Sequence, residues 1–277
     1  MSRHGFDVRR QPGFTTVAIF CFIVLYLPII LLVIYSFNAG SSIAIWEGVS
    51  WRWYVSAWDN EKVQAATMRS LVVAVSASAL ATTAVVLAAV VTTLTTPWRG
   101  QTLAFALINQ PLLVPEIVTA VALLIFFAMI RVWTGDTGLG YLIVAHAAFC
   151  LPFAYMPIRA RLQGMDLSLE QAASDLYGTP FQIFRRITLP QLFPGILAGA
   201  MLAFVISLDD VVITEFVKSA GQDTLPTYML GQLRRVITPE INAISTALLA
   251  VSVILVTGFF LLSRKTTINQ PQQEDPP

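Results

Sequence analysis

Residues 169–190 read LEQAASDLYGTPFQIFRRITLP, a polar, charge-bearing segment set between two long apolar runs. On a helical reading, Leu169, Ala172, Ala173 and Leu176 cluster at spacings of three and four, while Glu170, Gln171, Ser174 and Asp175 point elsewhere. Gly178-Thr179-Pro180 ends that helix, because glycine tolerates positive φ and proline suits the first turn of a new helix. Phe181, Phe184 and Ile187 form a second apolar stripe, and Pro190 marks the start of the next run. Two short amphipathic helices joined by a bend make a knob that can enter a hydrophobic cleft on another protein. The plainer alternative is a loop packed only on its own chain.

The chain around this segment is apolar. Of 277 residues, 56% are hydrophobic and 12% charged, and mean hydropathy is +0.71. A soluble domain carries about 25% charge, so the composition is that of a polytopic membrane protein. The net charge of +1 offers no electrostatic footing for nucleic acid. A span needs about 20 apolar residues, and residues 14–37, 70–94, 103–131, 138–158, 191–213 and 241–262 qualify. In lipid the backbone must satisfy itself, so these are read as helices. The first exceeds the roughly 7–15 apolar residues of a cleaved signal peptide and is read as a retained helix. Pro28, Pro111, Pro115, Pro152 and Pro157 fall inside spans and are expected to kink them. Ala74, Ser76, Ala77, Ser78 and Ala81 give the second span a surface for close helix packing.

The expected organisation is a tail (1–13), a six-helix domain (14–263) with the polar loop at 168–188 between helices four and five, and a polar, proline-rich tail (264–277) read as disordered. An inside N-terminus puts Arg3, Arg9, Arg10, Arg99, Arg159, Arg161, Arg185, Arg186, Arg264 and Lys265 on the inner side. Arg52, Lys62, Arg69, Arg131, Lys218, Arg234 and Arg235 then lie outside. This modest bias sets the polar loop and both termini in the cytoplasm. Trp46, Trp51, Trp53, Tyr54 and Trp58 crowd the loop 38–67 and suggest a helix at headgroup level. An outer gate, or cation binding by ring faces, is the competing use of these aromatics. Cys21 and Cys150 lie in apolar runs and read as buried thiols rather than a disulfide or metal pair.

Carboxylates inside apolar runs carry the functional signal. At a helix centre each costs roughly 2.5–3.5 kcal/mol on insertion scales, so such groups face a cavity or a partner. Glu116 falls near the middle of the third run, directly after Pro115. Asp209 and Asp210 fall near the outer end of the fifth, about 100° apart on a helix, so one of the two is expected to face a pathway. Carboxylates pair with ammonium groups and aromatic faces tolerate a methylene stem, so these acids suit a flexible cationic amine. The alternative is structural, with Asp210 bonding backbone at a helix end and Glu116 satisfied by freed carbonyls or protonated. His146 is expected to be a lone, satisfied interior histidine. There is no phosphate-cradling glycine loop, no HExxH and no GxSxG, so no metal or catalytic site is expected, and ATP hydrolysis would fall to a separate subunit.

Gln171-Ala172-Ala173 followed by Ile187-Thr188-Leu189-Pro190 resembles the EAA loop of ABC importer permeases, whose form is E-A-A, three residues, G, nine residues, I-x-L-P. The spacing agrees from Ala172 to Pro190. The family's Glu falls on Gln171, with Glu170 one residue earlier, and its Gly on Tyr177, with Gly178 one later. Trp51-Arg52-Trp53-Tyr54, Pro115-Glu116-Ile117-Val118, Ser207-Leu208-Asp209-Asp210-Val211-Val212 and Pro239-Glu240-Ile241-Asn242-Ala243 resemble the putrescine/spermidine branch.

The resemblance implies an all-α, six-span permease subunit in a bacterial inner membrane. Its implied partners are a second, similar permease, a cytoplasmic ATPase dimer that uses ATP, and a periplasmic or lipid-anchored solute-binding protein. Glu170, Gln171, Ala172, Ala173, Asp175, Tyr177, Gly178, Pro180 and Phe184 would dock on the ATPase. Glu116, Ser207, Asp209, Asp210 and Trp53 would line the substrate path. No cofactor is expected on the chain itself. Competing readings are a permease for another small solute, an ion-coupled carrier using Glu116, and a membrane enzyme, for which no convergent catalytic set is visible.

Overall fold

The computed structural model describes residues 13–43, 45–94, 98–135, 138–234 and 238–268. The elements are α1 (Phe14–Tyr35), α2 (Arg52–Asp59), α3 (Glu61–Leu94), α4 (Gln101–Leu113), α5 (Glu116–Thr134), α6 (Gly140–Gln163), α7 (Ser168–Asp175), α8 (Pro180–Ile183), α9 (Leu189–Asp209), α10 (Val212–Val217), α11 (Leu225–Leu233) and α12 (Pro239–Ile268), with a π-helical turn at Phe184–Thr188. Among the described residues the only extended pairing is one bridge between Asn38 and Val49. Six helices are long and apolar enough to cross a membrane, so the all-α, six-span expectation holds.

Several boundaries move. The second span starts at Glu61 rather than residue 70. The expected third span is not one helix: α4 ends at Leu113 and α5 begins at Glu116. Pro115 has no N–H and holds Val114 extended (φ −107°, ψ 137°), so Pro115 caps α5 rather than kinking a span. The last helix runs on to Ile268, past the expected boundary at 263. The disordered tail expected at 264–277 therefore loses its first residues to helix; residues 269–277, like residues 1–12, lie outside the described ones.

The chain divides into two compact units, residues 1–60 with 232–250 and residues 61–231 with 251–277. In the first, α1 buries none of its apolar window. A helix apolar on every side suits a lipid surround. Cys21 is therefore exposed on it, against the expectation of a buried thiol, whereas Cys150 is buried. After α1, Asn38 organises the loop: its amide N–H groups donate to the carbonyls of Ser42 (3.0 Å) and Ile45 (2.7 Å), and its oxygen accepts from the N–H of Gly40 and Glu47. Phe37, Trp51 and Tyr54 pack ring against ring at 4.8–5.4 Å. On α2 and its cap, Trp51, Val55 and Trp58 share one exposed face at spacings of four and three, the pattern of a helix lying at headgroup level.

In the second unit α3, α6 and α9 form the core. Val73, Ala74, Ala77, Ala81, Val85 and Ala89 make the buried stripe of α3, as its small residues predict. On α9, a Cβ at Gly199 would stand 2.7 Å from the Ala154 carbonyl oxygen, and one at Gly195 would stand 2.7 Å from Arg161 Cβ. The α6 and α9 backbones meet there as closely as glycine allows.

The segment 168–188 folds as two short helices around a bend. The Gly178 N–H reaches Ala173 O and the Tyr177 N–H reaches Ser174 O, both at 3.0 Å, with Tyr177 at φ 61°. This is a Schellman turn. Tyr177 thus adopts the left-handed conformation that a glycine would take without strain. Gly178 serves another purpose, because a Cβ there would meet the Ala173 carbonyl at 2.8 Å. Thr179 and Gln182 form a reciprocal capping box over Pro180. Pro190 lies in the first turn of α9, at the entry it was expected to mark, and a π turn, closed by Leu189 N–H to Phe184 O, carries the preceding helix into it. The Thr188 hydroxyl donates to Glu170 Oε1 at 2.5 Å and ties α7 to that turn. Of the expected apolar stripe on α7, only Ala173 is drawn in; Leu169, Leu176, Tyr177 and Phe181 remain exposed.

Gly199→Ala forces α6 and α9 apart and lowers stability by roughly 1–3 kcal/mol. Thermal exposure of the Cys150 thiol, followed with a fluorogenic maleimide in a Cys21→Ser background, should show a lower midpoint; an unchanged midpoint refutes the close approach. Tyr177→Gly removes about 1–2 kcal/mol of left-handed strain. Amide exchange at Gly178 should slow in that variant and not in Tyr177→Ala.

Candidate functional site

Two interruptions of the helical backbone build the site. The first is the Val114-Pro115 break, which makes Glu116 the first residue of α5. Its carboxylate sits at the positive end of that helix dipole, so Glu116 is at a helix start rather than mid-span. The second interruption ends α9 at Asp209. Asp210 is extended (φ −65°, ψ 133°), and α10 begins two residues later.

Asp210 is buried, and its carboxylate holds the second break together. Oδ1 accepts the Thr214 N–H (2.9 Å) and the Thr214 hydroxyl (3.1 Å), and Oδ2 accepts the Ile213 N–H (3.4 Å). These bonds satisfy N–H groups that the start of α10 would leave open. His146 extends the network. Its Nδ1 lies 2.8 Å from Ser207 Oγ, its Nε2 lies 2.9 Å from Thr214 Oγ1, and Asp210 Oδ1 is 3.5 Å from Nε2. The Thr214 hydroxyl gives its single hydrogen to Asp210, so it accepts from His146, and Nε2 carries the proton. His146 is satisfied, as expected, but it is not alone.

Glu116, Asp209 and Asp210 border one open cleft of about 410 Å³ whose other walls are Phe149, Phe153, Val205, Ile206, Val211 and Val212. The Glu116 and Asp210 side chains are close enough to interact. Only one aspartate was expected to face the path. Both border this cleft, because the chain leaves the helix between them and the 100° separation no longer applies. Asp209 is exposed and makes none of the hydrogen bonds that occupy Asp210. Acidic groups on aromatic and aliphatic walls suit a ligand with ammonium ends and a hydrocarbon stem.

The segment after α10 is pinned from several sides. The Arg131 guanidinium donates to Val217 O (2.8 Å), and Arg69 donates to the carbonyls of Gly221 (2.7 Å) and Asp223 (2.8 Å). The Lys218 ammonium lies 2.6 Å from Glu215 and 2.7 Å from Asp223. Partial burial pulls its pKa down, but hydrogen bonds and charge from the two carboxylates outweigh that and hold it above its ordinary value.

Of the other expected path residues, Ser207 is buried behind the cleft against His146 and does not line it. Trp53 belongs to the first unit, where its indole N–H donates to Gly40 O (3.1 Å) and Arg52 lies over its ring; it too is absent from the cleft lining. The expected docking residues do gather on one knob, with Glu170 bonded inward to Thr188. Sequence reasoning missed Phe149 and Phe153, one helical turn apart on α6, and Thr214, whose place four residues after Asp210 was the available signal.

Residues 83–265 match the family described as "binding-protein-dependent transport system inner membrane component". The putrescine transport system permease protein PotI of Escherichia coli strain K12 is 36% identical over 265 residues, which cover 94% of each chain. The spermidine/putrescine transport system permease protein PotC of the same strain is 34% identical over 255 residues, 92% of this chain and 94% of that one. Among solved structures, a bacterial alginate ABC transporter in complex with an alginate pentasaccharide-bound periplasmic protein shares the fold at a TM-score of 0.72. Its identity is 16%, covering 91% of this chain and 93% of that one. With a family match across most of its length and relatives more than a third identical from end to end, this chain belongs to the inner membrane components of binding-protein-dependent transport systems.

Proposed function

We propose that this chain is the permease subunit of an ATP-driven importer and carries polyamines, putrescine foremost, into the cytoplasm. The observation that carries the reading is the cleft where Glu116, Asp209 and Asp210 meet Phe149 and Phe153. It suits an aliphatic diamine: carboxylates take the ammonium ends, and ring and branched walls take the methylenes. The similarity to PotI and PotC along nearly the whole chain supports the same solute class.

The chain works with a second, similar permease, a cytoplasmic ATPase dimer and an outer solute-binding protein, and ATP is used by the ATPase alone. The knob at 168–188 faces the cytoplasm with both termini. Leu169, Leu176, Tyr177 and Phe181 are its exposed apolar groups, suited to a cleft on the ATPase. Glu170 and Thr188 tie the knob to the π turn, and from there α9 runs unbroken to Asp209. At 1.5 Å per residue that helix is about 30 Å long. Closure of the ATPase on ATP then moves one end of a rod whose other end holds two of the cleft carboxylates. The bundle alternates its access as a rigid body, and ATP drives it by binding one state better than the other.

Uptake of labelled putrescine, in cells lacking other polyamine importers and with the neighbouring genes present, should require this chain and collapse on ATP depletion. Uptake that survives ATP depletion favours an ion-coupled carrier. Uptake indifferent to the chain discards the polyamine assignment. Glu116→Gln and Asp209→Asn each remove a charge-assisted contact, so the half-saturating putrescine concentration should rise roughly tenfold or more at normal abundance; an unchanged value removes those residues from the path. Asp210→Ala should in addition cost about 1–2 kcal/mol of stability, read as a lower thermal midpoint, because it removes the acceptors at the start of α10. Leu176→Asp and Phe181→Asp should leave that midpoint unchanged and abolish co-purification of the ATPase.

A further inference from the structure

A second cavity, of about 200 Å³, is lined by Thr92, Gln101, Thr102, Phe105, Tyr155 and Arg159. On α6 its residues Tyr155 and Arg159 follow the cleft residues Phe149 and Phe153, and Arg159 stands about 9 Å along the helix beyond Phe153. Its polar groups can be accounted for one by one. The Thr92 hydroxyl donates to Ala88 O (2.8 Å) and so receives the Tyr155 O–H (2.9 Å). The Gln101 amide donates to Thr92 O (2.6 Å). Besides the second Gln101 N–H, two donor groups are left, the Arg159 guanidinium and the Thr102 hydroxyl. Arg159 lies 4.8 Å from the Phe105 ring centre and 5.9 Å from that of Tyr155. Ring faces act on its charge and take none of its five N–H donors. No acidic side chain pairs with it among the described residues. Arg161, two residues on, donates its Nε–H to Gln191 O (3.0 Å).

A guanidinium fork with a neighbouring hydroxyl matches the oxygens of a phosphate. The surroundings favour an amphiphilic bearer. Leu103 and Leu107, one turn apart on α4, are each 63% exposed, and Trp98 before the helix is also exposed, as aromatics at a membrane interface are. Basic pockets between spans on the cytoplasmic side hold anionic headgroups, and Arg99 stands two residues from Gln101. We propose that this cavity is a binding site for a phosphate group, presented by an anionic phospholipid whose acyl chains lie along Leu103 and Leu107. The site is independent of the solute carried.

The test uses the assembled transporter, purified in detergent after incubation with phosphatidylglycerol, with bound lipid counted by mass spectrometry after extraction. Arg159→Gln should retain about fivefold less phosphatidylglycerol than the parent, with phosphatidylcholine retention unchanged. Arg159→Lys, which keeps the charge and loses the fork, should fall between, and Thr102→Val should lose a smaller share. The thermal midpoint in lipid-free detergent, equal across the variants, separates loss of the site from loss of the fold. Equal phosphatidylglycerol retention in Arg159→Gln and the parent overturns the proposal. A competition arm adds inorganic phosphate: displacement of the lipid at millimolar phosphate would keep the phosphate site and overturn the lipid as its source.

Discussion

The carboxylate of Asp210 joins three helices at the point where the backbone stops satisfying itself. In lipid, an N–H without a partner costs several kcal/mol, so a span can end in mid-protein only where side chains supply acceptors. Asp210 supplies them to α10, and through Thr214 and His146 the same bonds reach α6 and return to α9 at Ser207. The cleft exists because of that repair. Were α9 to continue as a helix, Asp209 and Asp210 would diverge around it, and the wall formed by Val211 and Val212 would lie elsewhere. The geometry of the cleft follows from the geometry that rescues a helix end.

Architecture was legible in the sequence because its causes are local. Runs of about 20 apolar residues, the small residues of α3 and the helix-bend-helix pattern of 168–188 each read from neighbours in the chain. The same locality explains the errors. Hydropathy passes smoothly across Val114-Pro115, so Glu116 read as mid-span, although a residue before proline is held out of the helical region. His146 read as solitary because its partners lie 61 and 68 residues away, a distance at which no periodicity operates. Cys21 read as buried because it sits among apolar residues. For a helix apolar on every side, such surroundings describe lipid and protein equally well.

The two acidic positions at the end of α9 divide their labour by environment rather than by residue type. Asp210 is buried and committed to N–H and O–H donors, whereas Asp209 is exposed to the cleft. In the bend between α7 and α8, Tyr177 occupies a left-handed turn that glycine would fill at lower cost. Its ring is 96% exposed, so no packing within the chain compensates for the strain.

The Asn38 amide bears on how this protein can change over generations. One side chain meets four backbone groups of the loop that follows α1. The side chains of Ala39, Ser41 and Ile43 contribute none of those bonds. They can drift in size and charge while the loop keeps its path. A surface held from within by a single buried amide can be re-fitted to a different neighbour by ordinary point substitution, with the fold left out of the negotiation.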